Sequence, residues 1–199
     1  MCAGSAKHLW RHWRNAGITR MEVWSGDDVY AASNPYVLAV TRRCYTPEFV
    51  SSFLIRRAVV SEQKELEALQ LRASLTNAGD RDALLAHPDA IELPMDQIAA
   101  GRVFVSERNG AIVGFAALQP RPDGDVELDA LFVDPDVRRC GVGKSLVDHC
   151  VQIVRAQGSA ALCVIGNPHA YDFYSACGFN VVGTIQTRFG PGFLMRKMI

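Results

Sequence analysis

The run Val126–Ser145, VELDALFVDPDVRRCGVGKS, constrains the fold of this chain more than any other stretch. It reads as a strand over 126–133, a turn at Asp134-Pro135-Asp136, a glycine loop Arg138-x-x-Gly141-x-Gly143, and a helix opening near Val142. A strand feeding a glycine loop at a helix N-terminus builds an anion site. The loop amides point one way, the helix dipole adds partial positive charge, and glycine lets a phosphate approach the backbone.

Two familiar phosphate loops fail on residue counts. The nucleoside-triphosphate loop needs G-x-x-x-x-G-K-S/T, and counting back five from Gly143 gives Arg138 rather than glycine. The dinucleotide fingerprint needs a third glycine where Leu146 stands. What remains is Arg/Gln-x-x-Gly-x-Gly/Ala after a strand and a Val-Asp-Pro turn.

Length and charge narrow the class further. The 199 residues suffice for one domain with a sizeable core and an appendage. Lys plus Arg and Asp plus Glu are 21 each, a balance that speaks against a nucleic-acid binder. No apolar run has membrane-spanning length, and the N-terminus lacks the pattern of a secretory signal. The six cysteines, at 2, 44, 140, 150, 163 and 177, form no C-x-x-C pair and no zinc-spaced cluster with histidine, so no metal is expected. Cys150 and Cys163 read as small hydrophobes of a reducing compartment, which makes a cytoplasmic protein the expectation.

Residues 1–53 differ from the rest. They hold Trp10, Trp13 and Trp24 and no sustained period, with one short strand expected at Val37–Val40; they are read as an N-terminal extension. From 54 onward the pattern is regular. Strands are expected at 54–59, 102–108, 111–118, 126–133, 160–165, 181–187 and 193–198. Helices are expected after an N-cap at Ser61, with the stripe Leu66, Leu69 and Ala73, over 80–86, from Val142 to Gly158, and from Pro168 to Cys177. Asn109-Gly110 marks a hairpin, and Gly190-Pro191-Gly192 a second turn. The helix after the loop carries Leu146, Val147, Cys150, Val151 and Val154 on one face. A second segment, Asn167 to Phe179, has the form N-x-x-A-x-x-F-Y-x-x-x-G-F, with Ala170, Phe173, Tyr174 and Cys177 along one helical face.

These two segments together resemble the GNAT superfamily of N-acetyltransferases, over residues 54–199. The resemblance implies that fold, an α/β (α+β) mixed twisted sheet flanked by helices, and acetyl-CoA as cosubstrate. It implies that the amides of Arg138, Arg139, Cys140, Gly141, Val142, Gly143 and Lys144 hold the pyrophosphate. The backbone of Leu131 and Val133 would pair with the pantetheine arm, and an N–H near Phe132 or Val133 would stabilise the oxyanion. Asn167 would reach the pantetheine or cap the helix that follows it. Tyr174 would protonate the departing thiolate, or else is a packed aromatic.

A general base is needed because an alkylammonium is no nucleophile until it loses a proton. Glu127 and Asp129, two apart on the strand, are expected on one face, with Leu128, Ala130 and Phe132 on the other. Some family members place a catalytic Glu where Glu127 falls, and many others use ordered water. Both carboxylates also read as a solvated acidic edge. An acyl-enzyme on Cys140 is disfavoured, because the family transfers directly. The resulting expectation is an N-acetyltransferase acting on a primary amine of a small molecule or peptide, with a homodimer left open. The competing expectation is a CoA-binding sensor or interaction module without turnover.

Overall fold

The computed structural model describes residues 20–23, 53–76, 81–87, 91–187 and 190–199. Trp10, Trp13, Trp24 and the strand expected at Val37–Val40 lie outside the described residues. One mixed sheet organises the chain. Its eight strands are β1 (Arg20–Val23), β2 (Leu54–Arg57), β3 (Val103–Arg108), β4 (Ala111–Pro120), β5 (Val126–Val133), β6 (Ala161–Gly166), β7 (Asn180–Thr187) and β8 (Gly190–Met198), in the order β1-β7-β8-β6-β5-β4-β3-β2. Among the described residues five helices flank it: α1 (Gln63–Leu75), α2 (Arg81–Ala86), α3 (Met95–Ala99), α4 (Val142–Ala156) and α5 (Tyr171–Ala176). Strand β1, from the stretch read as an extension, pairs antiparallel with β7 at the sheet edge. Among the described residues no helix is long and apolar enough to cross a membrane.

Two cores form, one on each face. Helix α4 buries Leu146, Val147, Cys150 and Val154 completely, against Val126 and Leu128 of β5 and Leu162 and Val164 of β6. Burying side chains of this size contributes about 1.5–3 kcal/mol each. The other face carries Leu66 and Leu69 of α1, Leu93, Ile98 of α3, and Val103, Val105 and Phe115 of the β3–β4 hairpin. That hairpin turns through Asn109 (φ 52°) and Gly110 (φ 78°), the left-handed pair that an Asn-Gly turn requires.

Four local expectations change. Ser61 is not the cap of α1; a 3-10 turn over Val60–Glu62 precedes the helix, and the Glu62 side chain accepts from the Val59 N–H. Helix α3, five residues long, has no periodic signal of its own. Gly190-Pro191-Gly192 is no turn: these residues begin β8, pairing with Thr187, Gln186 and Ile185. The fourth change lies in β5. Ala117 pairs with Ala130 but Leu118 with Leu128, so Asp129 is an extra residue, a β-bulge. The bulge reverses the alternation of side chains. Val126 and Leu128 face the α4 core and so do Leu131 and Val133, while Ala130 and Phe132 face the α1 core. Leu128, Ala130 and Phe132 therefore do not share a face.

Candidate active site

Strand β5 is fully paired on one side and barely paired on the other. Toward β4 it is paired from Val126 to Val133, broken only by the bulge at Asp129. Toward β6, its parallel neighbour, only Val126↔Leu162 and Glu127↔Cys163 are joined. Strand β6 then follows β8 over its whole length, from Ala161↔Met198 to Gly166↔Phe193. The two central strands thus separate after their first two rungs, and the β6-facing edge of Leu131, Phe132 and Val133 opens into a wedge-shaped gap. A strand edge without its ladder presents N–H and C=O groups for an extended ligand.

The mouth of the gap meets the glycine loop. Asp134 caps the turn that leaves β5, its Oδ1 accepting from the Asp136 N–H at 3.1 Å. The chain then passes Arg139 in a left-handed conformation (φ 62°) and Gly141 at φ 86° before α4 begins. A Cβ at Gly141 would meet nothing within 4 Å, so this glycine answers a backbone need and leaves open space above the helix end. The first-turn amides, including Val142, Gly143 and Lys144, have no intrahelical acceptor. These groups fit a pyrophosphate. Gly143 is shaped by packing instead: a Cβ there would lie 3.3 Å from the Phe173 ring. The loop is thereby seated on the second sequence segment.

Three side chains of the loop have partners within the protein. Arg138 donates to the Ala73 carbonyl at 3.0 Å and to the Thr76 hydroxyl, so its guanidinium closes the C-terminal end of α1. Arg72 of α1 meets Asp134 at 2.8 Å, and that contact holds the Asp134 carboxyl below its usual range. Lys144 is exposed and pairs with Asp148 at 2.6 Å one helical turn on. The Cys140 thiol faces the Arg138 carbonyl at 3.7 Å. What the loop offers an anion is therefore mainly its backbone.

At the end of β6, Asn167 accepts the Ala170 N–H on Oδ1 at 3.0 Å, the helix-capping contact. Tyr174, on α5, is buried, its ring stacked edge-on against Phe173 at 5.1 Å and Phe179 at 5.6 Å. A Cβ on Gly166 would come within 3.1 Å of that ring, so the glycine lets the tyrosine sit against β6. Burial pushes the Tyr174 phenol well above its usual value, with the Cys177 thiol adding to the shift. It stays protonated at neutral pH.

The two carboxylates differ in surroundings. Glu127, 6% exposed, lies at the last joined rung and pairs with Arg121 at 3.3 Å; Arg121 also grips Asp123 at 2.9 Å. The same end of the sheet holds Asp125 against Arg196 at 2.8 Å, with the Cys163 thiol 3.7 Å from the Asp125 carboxylate. Asp129, on the bulge, accepts from the Gln97 amide at 3.1 Å. Arg121, Gln97, Arg72 and Thr76 carry no motif and escape a reading of the sequence; only their distance-coupled contacts reveal them. Among the described residues no group of His, Cys, Asp or Glu is arranged to hold a metal. A small pocket of about 100 Å³ is lined by Arg57, Arg102, Leu118, Val126, Ile153 and Gln157, at the C-terminal end of α4.

Comparison with known proteins agrees with this geometry. Residues 70–179, more than half of the chain, match the model of the acetyltransferase (GNAT) family. The peptidyl-lysine N-acetyltransferase YjaB of Escherichia coli is 41% identical over 81 residues, which cover 41% of this chain and 50% of that protein. The ribosomal protein bS18–alanine N-acetyltransferase of Escherichia coli is 32% identical over 91 residues, 44% of this chain and 60% of that protein. The chain thus spans half to three fifths of the length of these curated relatives. Among solved structures, the PaiA N-acetyltransferase of Thermoplasma acidophilum in complex with coenzyme A superposes with a TM-score of 0.61. It is 17% identical, over 74% of this chain and 99% of that one. YncA of Salmonella typhimurium with acetyl-CoA gives 0.54 at 23% identity, over 74% and 94%. At these identities the two structures establish the fold.

Proposed function

We propose that this chain, which belongs to the acetyltransferase (GNAT) family, transfers the acetyl group of acetyl-CoA to a primary amine on a peptide or protein. The observation that carries the reading is the separation of β5 from β6 after two rungs, directly below a glycine loop at a helix N-terminus. A gap bounded by a free strand edge suits an extended amide-bearing arm, and the loop amides suit its diphosphate. A peptide acceptor is favoured by the two curated relatives, whose names specify a peptidyl lysine and a ribosomal-protein alanine.

In this reading the amides of residues 138–144 hold the pyrophosphate, and the backbone of Leu131 and Val133 pairs with the pantetheine. Acetyl-CoA supplies the activated acetyl thioester. Asn167 orders the helix start beside the gap through its cap. Tyr174, kept protonated by burial, holds a proton at its hydroxyl for the leaving sulfur. Glu127, buried against Arg121, and Asp129, held by Gln97, are the carboxylates that receive the ammonium's proton directly or through water. A backbone N–H near Phe132 or Val133 serves the oxyanion. Four free cysteines among the described residues, three of them buried, suit a cytoplasmic setting.

The test is a thiol-release assay with peptides bearing either a free α-amine or only a lysine amine, run beside calorimetry with CoA. Heat with CoA and thiol release with one peptide class are expected. Heat without release from any amine would point to a binding module, and no heat would end the assignment.

A further inference from the structure

The bulge in β5 is plugged by a side chain from outside the sheet. Gln97, on α3 and 3% exposed, reaches the place where β4 and β5 lose register. Its Nε2 donates to the Leu118 carbonyl at 3.3 Å and to Asp129 Oδ2 at 3.1 Å. Leu118 and Asp129 are the residues on either strand at which the register shifts. Both partners are acceptors, so the amide nitrogen must face them. The amide oxygen, Oε1, is left buried without a hydrogen-bond partner. An orphaned buried acceptor is destabilising, and an apolar residue of the same length would avoid it. The amide is therefore poorly explained as packing and well explained as a clamp across the bulge.

We infer that Gln97 is a positioning residue for cofactor binding: by clamping Leu118 to Asp129 it fixes the bulge, and the bulge fixes where Leu131 and Val133 point. Without the extra residue the strand alternation would put Leu131 and Val133 on the α1 side, because a one-residue slip exchanges the faces. The bend that a bulge imposes also directs β5 away from β6. The effect on the ligand rests on the acetyl-CoA reading above; the effect on the strand does not.

The experiment uses the full chain with Gln97→Met, which keeps length and removes the donor, Gln97→Glu, and Ile98→Val as a control in the same helix. Amide exchange followed by mass spectrometry comes first. In Gln97→Met, exchange over 117–118 and 129–133 should quicken roughly tenfold, while Val103–Val105 stays as in the wild type. Calorimetry with CoA and acetyl-CoA kinetics come second. Gln97→Met should raise the CoA Kd and the acetyl-CoA KM roughly tenfold, and Ile98→Val should leave both unchanged. Gln97→Glu sets two carboxylates side by side, so its CoA affinity should recover toward wild type as pH falls and the pair shares a proton. Unchanged exchange in Gln97→Met, equal losses in Ile98→Val, or a Gln97→Glu affinity that follows the wild type at every pH would each overturn the inference. Wild-type protein that gives no heat with CoA would remove the acetyltransferase reading, and the exchange result would still decide the clamp.

Discussion

Tyr174 and the residues that hold it illustrate how packing sets the protonation of a phenol. Gly166 gives its ring room against β6, and Phe173 and Phe179 enclose it. The phenol that results holds its proton beyond the usual range. Tyr174→Phe is expected to lower kcat roughly ten- to a thousand-fold with CoA affinity unchanged, measured by steady-state kinetics beside calorimetry. Unaltered kcat would remove the hydroxyl from the reaction. Because burial raises this pKa, the wild-type rate should show no loss assignable to Tyr174 below about pH 10, its ordinary value. Gly141 makes the opposite case. Its φ of 86° suits glycine, while the space above is free, so Gly141→Ala strains the backbone without a clash. A loss of about 1 kcal/mol in denaturant unfolding is expected, with a weaker CoA complex.

At the level of elements, α4 and β5 were the most legible parts of the chain. The Asp134-Pro135 turn marks where β5 ends, the apolar stripe of α4 follows from side-chain period, and all five stripe residues are buried. The glycine loop followed for the same reason: its residue types are dictated locally. The bulge was not legible, because it depends on which residue of β4 faces which of β5, and period-2 reasoning assumes an unbroken ladder. Gly190-Pro191-Gly192 misled in a related way. Composition marks it as a turn, yet it pairs across β7, where a Cβ on Gly192 would crowd Ile165 at 3.1 Å. Helix α3 is too short to show a period, so the site of Gln97 was invisible. Gly114 belongs to this scale as well. A Cβ there would stand 3.0 Å from both the Phe132 carbonyl oxygen and Val142, at the contact of β4, β5 and α4. Gly114→Ala is expected to cost about 1–3 kcal/mol by denaturant titration, more than the same change at Gly141.

Across the whole molecule, buried thiols and paired carboxylates set the pH range of stability. Burial raises Cys163 to about 11 and Cys150 to about 12, from 9.0. Unfolded chains ionise first, so this contribution is complete below about pH 9 and is lost as pH rises through the folded values. Arg56 lowers Glu62 from 4.5, and Arg121 and Arg72 lower Asp123 and Asp134 from 3.8. Their contribution is present above those ordinary values and disappears as pH falls below them. Burial also lowers His149 from 6.5, so stability erodes below that value; denaturant unfolding should therefore show a plateau between about pH 6.5 and pH 9, and Cys163→Ala should flatten the alkaline fall. The sheet itself behaves as two leaves, β2–β5 and β6–β8, bound along a spine of two rungs. The Arg196–Asp125 ion pair, from β8 to the start of β5, fastens that spine. From Glu127 to Val133 is about 20 Å of strand at 3.3 Å per residue, a long lever for a short hinge. Loosening a fastener, as in Arg196→Met, should accordingly change how far the leaves gape, and calorimetry should register it as altered CoA affinity before any melting experiment registers a weaker fold.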